Sequence, residues 1–303
     1  MRVVFFVFVL LNLVSATEKT WSENWVQACA RAHKEKKDLL LYFTGSDWSP
    51  WCIALQKEVL SKKAFLSFVK GKFILVQLDY PEHKVVDELL RTQNDKLLKK
   101  YFVRSFPTVY FLDSQQRPYG DIRYEGINLK QFIEQVKKFI NIRDKRDLML
   151  GASKKLQGVA KAQKLSEVIE LLDNSSYLVY YRDIEEDIYK FDPEDVSGFK
   201  KTQAQRLSLS LVEGEVLKLV RKQQRSQALV LIDEFIANEK VTGGLRQEAL
   251  FDKLVCYKFE PQNYDLVEAL MDEVIKIRPA SRLAHKCRKI KTRVSHLRKT
   301  VPD

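Results

Sequence analysis

The apolar residues fall into two kinds of block. Residues 38–44 and 72–79 are near-continuous apolar runs, the pattern of strands buried on both faces. Around them the apolar positions recur at helical spacing. Residues 22–36 predict a first helix, with Ser22 as N-cap and Trp25, Val26 and Cys29 inward. A second helix is predicted from Pro50 to Val69, carrying Ile53, Leu55, Val59, Leu60, Phe65 and Phe68. A third, over 87–102, carries Leu89, Leu90, Leu97, Leu98 and Phe102. Residues 109–113 read as a strand, 114–118 as a turn and 120–125 as an edge strand. A closing helix, 128–142, turns Phe132, Ile133, Val136 and Phe139 inward. Helix-linked strands imply parallel pairing and the final hairpin implies antiparallel pairing. The first part of the chain is thus expected to be an α/β sandwich on a mixed sheet.

From residue 163 onward the pattern is helical almost throughout, with Gly and Pro mostly at breaks: Pro193, Gly198, Gly243-Gly244, Pro261 and Pro279. Residues 143–162, rich in Lys and Arg, read as a helical or partly ordered linker. Leu231-Ile232-Asp233-Glu234-Phe235-Ile236 matches Leu270-Met271-Asp272-Glu273-Val274-Ile275 at an offset of 39 residues. A weaker copy aligns Ile188–Pro193 with Val274–Pro279. Periods of this size indicate stacked helix pairs, here tetratricopeptide-like, and such arrays bind partners; with so few and divergent copies, a short helical bundle is the alternative.

Composition adds a compartment. The chain has 303 residues, 45% of them hydrophobic, enough for two packed domains. Arg2, the apolar run over 3–14 and Val14-Ser15-Ala16 read as a secretory leader over 1–16, with an uncleaved anchor as the alternative, so the working chain is expected to begin near Thr17, outside the cytoplasm. Cys29, Cys52, Cys256 and Cys287 show no zinc-ligand spacing, and neither a metal nor an organic cofactor is implied. Four cysteines allow three pairings, among which the sequence does not choose. Cys29, Cys256 and Cys287 also suit small buried hydrophobes. The net charge of +12 points to acidic partners or surfaces. An exported chain does not meet nucleic acid. The last helix, 281–301, carries eight Lys or Arg. It reads as a capping helix with a solvated basic face, or as a contact for a membrane or other anionic surface.

The chemistry centres on residues 39–52, LLLYFTGSDWSPWC: a strand, a turn and a Cys at the start of a helix. The positive end of a helix dipole favours a thiolate there. The element order, the Trp-Ser-Pro-Trp-Cys over 48–52 and Phe106-Pro107-Thr108 before a strand resemble the thioredoxin superfamily. Phe43-Thr44-Gly45-Ser46-Asp47-Trp48 with Leu78-Asp79-Tyr80-Pro81 resembles its secreted bacterial Cys-Pro-Trp-Cys members more narrowly. The resemblance covers residues 20–142. It implies that Ser49 stands where the family has its attacking cysteine and Cys52 where it has the resolving one. It implies a cis bond before Pro107, and a peptide-binding edge formed by Trp48, Pro50, Trp51, Phe106 and Pro107.

Thiol–disulfide exchange needs a thiolate attacker and a second thiol. A serine hydroxyl does not supply the first, and neither His33 nor His83 forms a recognisable triad with it. The buried acid that the family often places on the preceding strand is also missing. That strand offers Tyr42, with Asp38 at its start and Asp47 beyond its end. Three readings stand. Cys52 acts with another cysteine or a redox partner in handling exported clients; the domain binds peptides or proteins without redox chemistry; or it is a platform for the helices behind it.

Overall fold

A computed structural model describes residues 20–172, 175–257 and 261–300. The leader over 1–16 and the start near Thr17 lie outside them. The chain divides into two compact units, at 139/140.

The first unit holds a five-stranded sheet in the order β1-β3-β2-β4-β5. The strands are β1 (Trp21–Ser22), β2 (Asp38–Thr44), β3 (Phe73–Asp79), β4 (Thr108–Leu112) and β5 (Pro118–Arg123). All seven residues of β2 are buried, because the strand is central and covered on both faces. β2 and β3 pair in parallel, Leu41 against Val76, and β4 and β5 form the expected antiparallel hairpin. One expectation fails. The β3-to-β4 connection is not a parallel unit: β4 runs antiparallel along β2, with Leu41 opposite Tyr110. β1 already occupies the outer edge of β3, which leaves the β2 edge for the returning chain.

The helices depart from the sequence pattern in instructive ways. α1 (Trp25–Glu35) is capped by Asn24, whose side chain accepts from Gln27 N–H, while Ser22 belongs to β1. α1 buries Ala28 and Ala32, and Val26 is exposed. The predicted helix over 50–69 is three pieces: α2 (Pro50–Leu55), a π-helical turn (Gln56–Leu60) and α3 (Lys63–Val69). The extra residue of the π turn shifts the helical phase, so adjacent Val59 and Leu60 are both buried while Ile53 faces out. α4 (Glu88–Lys100), N-capped by Asp87, buries Asn94 and Leu97 and leaves Leu89 exposed. Phe102 lies beyond its end at φ 50° and is exposed. α5 (Leu129–Ser153) does not stop at Ile142: Gly151 sits inside it, and the segment read as a linker is largely helical. Phe132 and Val136 of α5 enter the sheet core.

The second unit is helical: α6 (Gly158–Leu171), α7 (Arg182–Phe191), α8 (Phe199–Arg221), α9 (Arg225–Asn238), α10 (Gly243–Val255), α11 (Tyr264–Ile277) and α12 (Arg282–Thr300). The 39-residue offset is visible in the packing. α11 begins and ends 39 residues after α9, and buried Ala228, Ile232 and Phe235 of α9 answer to buried Val267, Met271 and Val274 of α11. α10 joins two apolar clusters, giving Leu245 and Ala249 to one and Leu250 and Leu254 to the other. That sharing is how stacked two-helix units bury a continuous core. The weaker copy is a shared helix ending only, since α7 is ten residues long and is followed by the 23-residue α8. Lys291 and Arg298 of α12 pair with Asp272, Asp265 and Glu268 of α11. Among the described residues no helix is long and apolar enough to cross a membrane.

Candidate functional site

The site begins at the end of β2. Thr44 closes the strand and Gly45 starts the turn that delivers Ser49 to α2. Ser49 is the N-cap: its backbone is extended and its hydroxyl accepts from Cys52 N–H. Pro50 follows at the first helical position, where no N–H is needed, and is exposed. Ser49 is buried, so the hydroxyl at the attacking position is engaged in holding the helix start. Cys52 is only 1% exposed. Gly45 N–H donates to its Sγ at 3.3 Å.

Beneath Cys52 lies Tyr42, the polar ring of β2. Its buried hydroxyl donates to the Cys52 carbonyl at 3.1 Å and accepts from Thr44 Oγ1 at 2.9 Å. Burial pushes the Tyr42 phenol well above its ordinary range, the Thr44 hydrogen bond opposing this, and the phenol keeps its proton. Neither acid flagged in the sequence can stand in for the family's buried carboxylate. Asp38 accepts from Tyr119 Oη at 2.6 Å at the far end of β2, and Asp47 accepts from Glu82 and His83 N–H.

The two motifs 35 residues apart interlock. Asp79 accepts from both Ser46 N–H and Ser46 Oγ. The Trp48 indole N–H donates to the Tyr80 carbonyl at 2.8 Å. The Phe106–Pro107 bond is cis. Phe106 stacks on Tyr80 with ring centroids 5.0 Å apart, and Trp48 meets Phe106 edge-on at 6.0 Å. On the other side Trp51 meets Tyr124 edge-on. Tyr124 donates to Glu58; burial and then the Glu58 carboxylate push the Tyr124 phenol up. Trp48 is 38% exposed and Trp51 54%. The structure therefore brings Trp48, Ser49, Pro50, Trp51, Cys52, Phe106 and Pro107 into one aromatic-rimmed edge.

Several residues there escaped the sequence reading. Tyr80 lies within a quoted motif but gave no sign of stacking on Phe106. Tyr124 sits just past an edge strand, and nothing local marks it. Gly45 is needed for space: a Cβ on it would lie 2.3 to 2.6 Å from the Trp48 ring. Gly45→Ala is expected to unseat Trp48, cost about 1–3 kcal/mol of stability and red-shift tryptophan emission, measured by thermal melting and fluorescence.

All four cysteines are free thiols. Cys29, on α1, is half-buried, and burial pushes its thiol up to about 11 against the opposing charge of Lys100. Among the described residues no group of three or more His, Cys, Asp or Glu could hold a metal ion.

Sheet, capped helix and cis-proline edge together define a thioredoxin-like α/β region followed by a helical region. Residues 20–114 match the family model described as thioredoxin-like. A Chlamydia pneumoniae protein described as disulfide bond reductase DsbH is 28% identical over 130 residues, covering 43% of this chain and 78% of that protein. A second from that organism, thioredoxin-related protein DsbJ, is 32% identical over 97 residues, 32% of this chain and 28% of that protein. The chain thus spans about a quarter of the second relative's length. A solved structure titled DsbH oxidoreductase is 25% identical over 46% of this chain and 95% of its own, with a TM-score of 0.39.

Proposed function

We propose that this chain serves disulfide handling and folding of exported proteins outside the cytoplasm. It holds polypeptide clients at the aromatic edge around Ser49 and cis-Pro107 without completing exchange by itself. The observation that carries this reading is the state of the two motif positions. Ser49 is a buried helix cap, and Cys52, the one motif thiol, is 1% exposed. A client disulfide meets Trp48, Trp51 and Phe106 before it meets sulfur. Half-exposed aromatic side chains are the usual anchors of an interface. The names of the two Chlamydia relatives, a disulfide bond reductase and a thioredoxin-related protein, support the disulfide chemistry, and the stacked helix pairs of the second unit suit partner binding.

A second reading, exchange through Cys52 alone, is favoured by one observation. Gly45 N–H points at Sγ, a donor that stabilises charge on sulfur if the site opens.

The test measures binding of an alkylated, permanently unfolded polypeptide by fluorescence anisotropy, beside reduction of a model disulfide protein. Trp51→Ala and Phe106→Ala are expected to weaken binding by about tenfold each. Cys52→Ser is expected to leave it within about twofold. Reduction by the wild type that vanishes in Cys52→Ser would replace the binding reading with the exchange reading.

A further inference from the structure

We propose that the outer face of α12 rests on the surface of a lipid bilayer that carries anionic headgroups. α12 holds eight Lys or Arg and no Asp or Glu, so it supplies +8 of the chain's net charge of +12. Its apolar residues point inward. Cys287 and Val294 are buried in the cluster formed with α10 and α11, and Leu283 and Ile290 pack against it. On the opposite side Arg282, Lys286, Lys289 and Arg293 are exposed. Their spacing of four, three and four residues sets them along one line of the helix, about 16 Å long. His285, Arg288 and His296 are exposed beside that line.

Elsewhere in the helical unit cations meet acids, as Lys164 meets Glu167 and Lys218 meets Glu215. On α12 such pairing is confined to the flanks. Lys291 and Arg298 turn to α11 and pair with Asp272, Asp265 and Glu268. On the other flank Arg282 borders the cavity that Glu213, Glu248 and Asp252 also line, and Lys286 leans over the Phe251 ring at 5.5 Å. Between the flanks, the side chains of Arg288, Lys289 and Arg293 form no ion pair or hydrogen bond among the described residues. Those three are positive charge that the fold leaves without a counter-ion.

The occupant follows from charge and from what the face lacks. Protein partners are held by aromatic or aliphatic side chains seated in pockets. The outer face of α12 offers none: the other exposed residues between 285 and 296 are Thr292 and Ser295. A bilayer surface asks only for cations in a row, because lipid phosphates spread dense negative charge over a plane. Lacking an apolar anchor, α12 lies on the headgroups and stays out of the acyl region, so the contact is electrostatic and screened by salt. It is independent of the client-holding edge, which belongs to the other unit.

The experiment is co-sedimentation of the chain from Thr17 onward, which keeps every described residue, with vesicles of phosphatidylcholine containing about 30% phosphatidylglycerol. The wild type is expected to sediment with them at about 50 mM NaCl, to be released at about 500 mM, and to ignore pure phosphatidylcholine. Arg288→Glu, Lys289→Glu and Arg293→Glu together are expected to weaken partitioning by at least about tenfold, with helicity verified by circular dichroism. The same three residues changed to Gln give a milder loss in the same direction and serve as the second variant. Lys155→Glu, Lys200→Glu and Lys222→Glu together change the net charge equally at exposed positions off α12, and are expected to leave partitioning within about twofold. An equal loss in that control overturns the proposal, because net charge and not α12 then drives binding. So does equal binding to pure phosphatidylcholine, or no binding to anionic vesicles. Binding to polyglutamate but not to vesicles, abolished by the α12 substitutions, would give the face to an acidic protein instead.

Discussion

Ser49→Cys converts the chain into a disulfide reductase, with model-substrate reduction rising on the order of 10³-fold over the wild type. The substitution puts a sulfur at the N-cap of α2, where the orphan N–H groups and the helix dipole favour a thiolate. That thiolate attacks one sulfur of a client disulfide, forming a mixed disulfide and expelling the client's other sulfur as thiolate. Cys52 Sγ then attacks the mixed disulfide from one helical turn away. The client leaves fully reduced, and the protein keeps an intramolecular disulfide that dithiothreitol reduces for the next turnover. The gain has a cost in stability. Sulfur is a weak acceptor, so the cap bond to Cys52 N–H weakens by about 1 kcal/mol. Thermal melting should show a drop of a few degrees. Adding Cys52→Ser separates the two steps: attack still occurs, release does not, and a mixed disulfide with the client accumulates on a non-reducing gel. A Ser49→Cys chain that reduces nothing and traps nothing would mean that clients do not dock at this edge, and the binding reading would fall with it.

The fold of the first unit was legible because it depends on patterns that single segments carry. The continuous apolar runs of β2 and β3 and the punctuation at Gly45, Pro50 and Pro107 sufficed for the element order. What was not legible arose between segments. β4 takes the β2 edge because two residues, Trp21 and Ser22, occupy the far edge of β3, and a two-residue strand has no periodicity to read. The phase of the helix after Cys52 was lost at the π turn, which exposes Ile53 and buries both Val59 and Leu60. At the site, the motif residues were found but their neighbours were not. Tyr80 stacking on Phe106 and Tyr124 meeting Trp51 join residues 26 and 73 positions apart, beyond any local signal. In the helical unit the 39-residue offset was readable from six residues, because each buried position of one helix had to be repeated in the next for the stack to pack.

Asp252→Asn is expected to stabilise the helical unit at pH 8 by about 2 kcal/mol, and to do nothing at pH 4. Asp252 lies on α10, at a cavity of about 250 Å³ lined also by Arg206, Glu213, Glu248 and Arg282. Burial pushes its carboxyl up to about 7; the Glu213 and Glu248 carboxylates add to this and Lys286 opposes it. Arg206 is engaged with Glu248. An unfolded aspartate titrates near 3.9. Below that value both states are protonated and folding carries no penalty. Above about 7 the folded unit holds a third carboxylate beside two others, and the penalty is complete. Stability therefore falls as pH rises from about 4 to 7 and then levels. A shift of about three units corresponds to roughly 4 kcal/mol, which residual contact with water reduces to about 2. Asparagine keeps the shape and removes the titration, so its advantage should grow over that same interval. Thermal melts followed by circular dichroism at pH 4, 6 and 8 test this. A gain of equal size at all three would place the effect in a hydrogen bond and not in the charge.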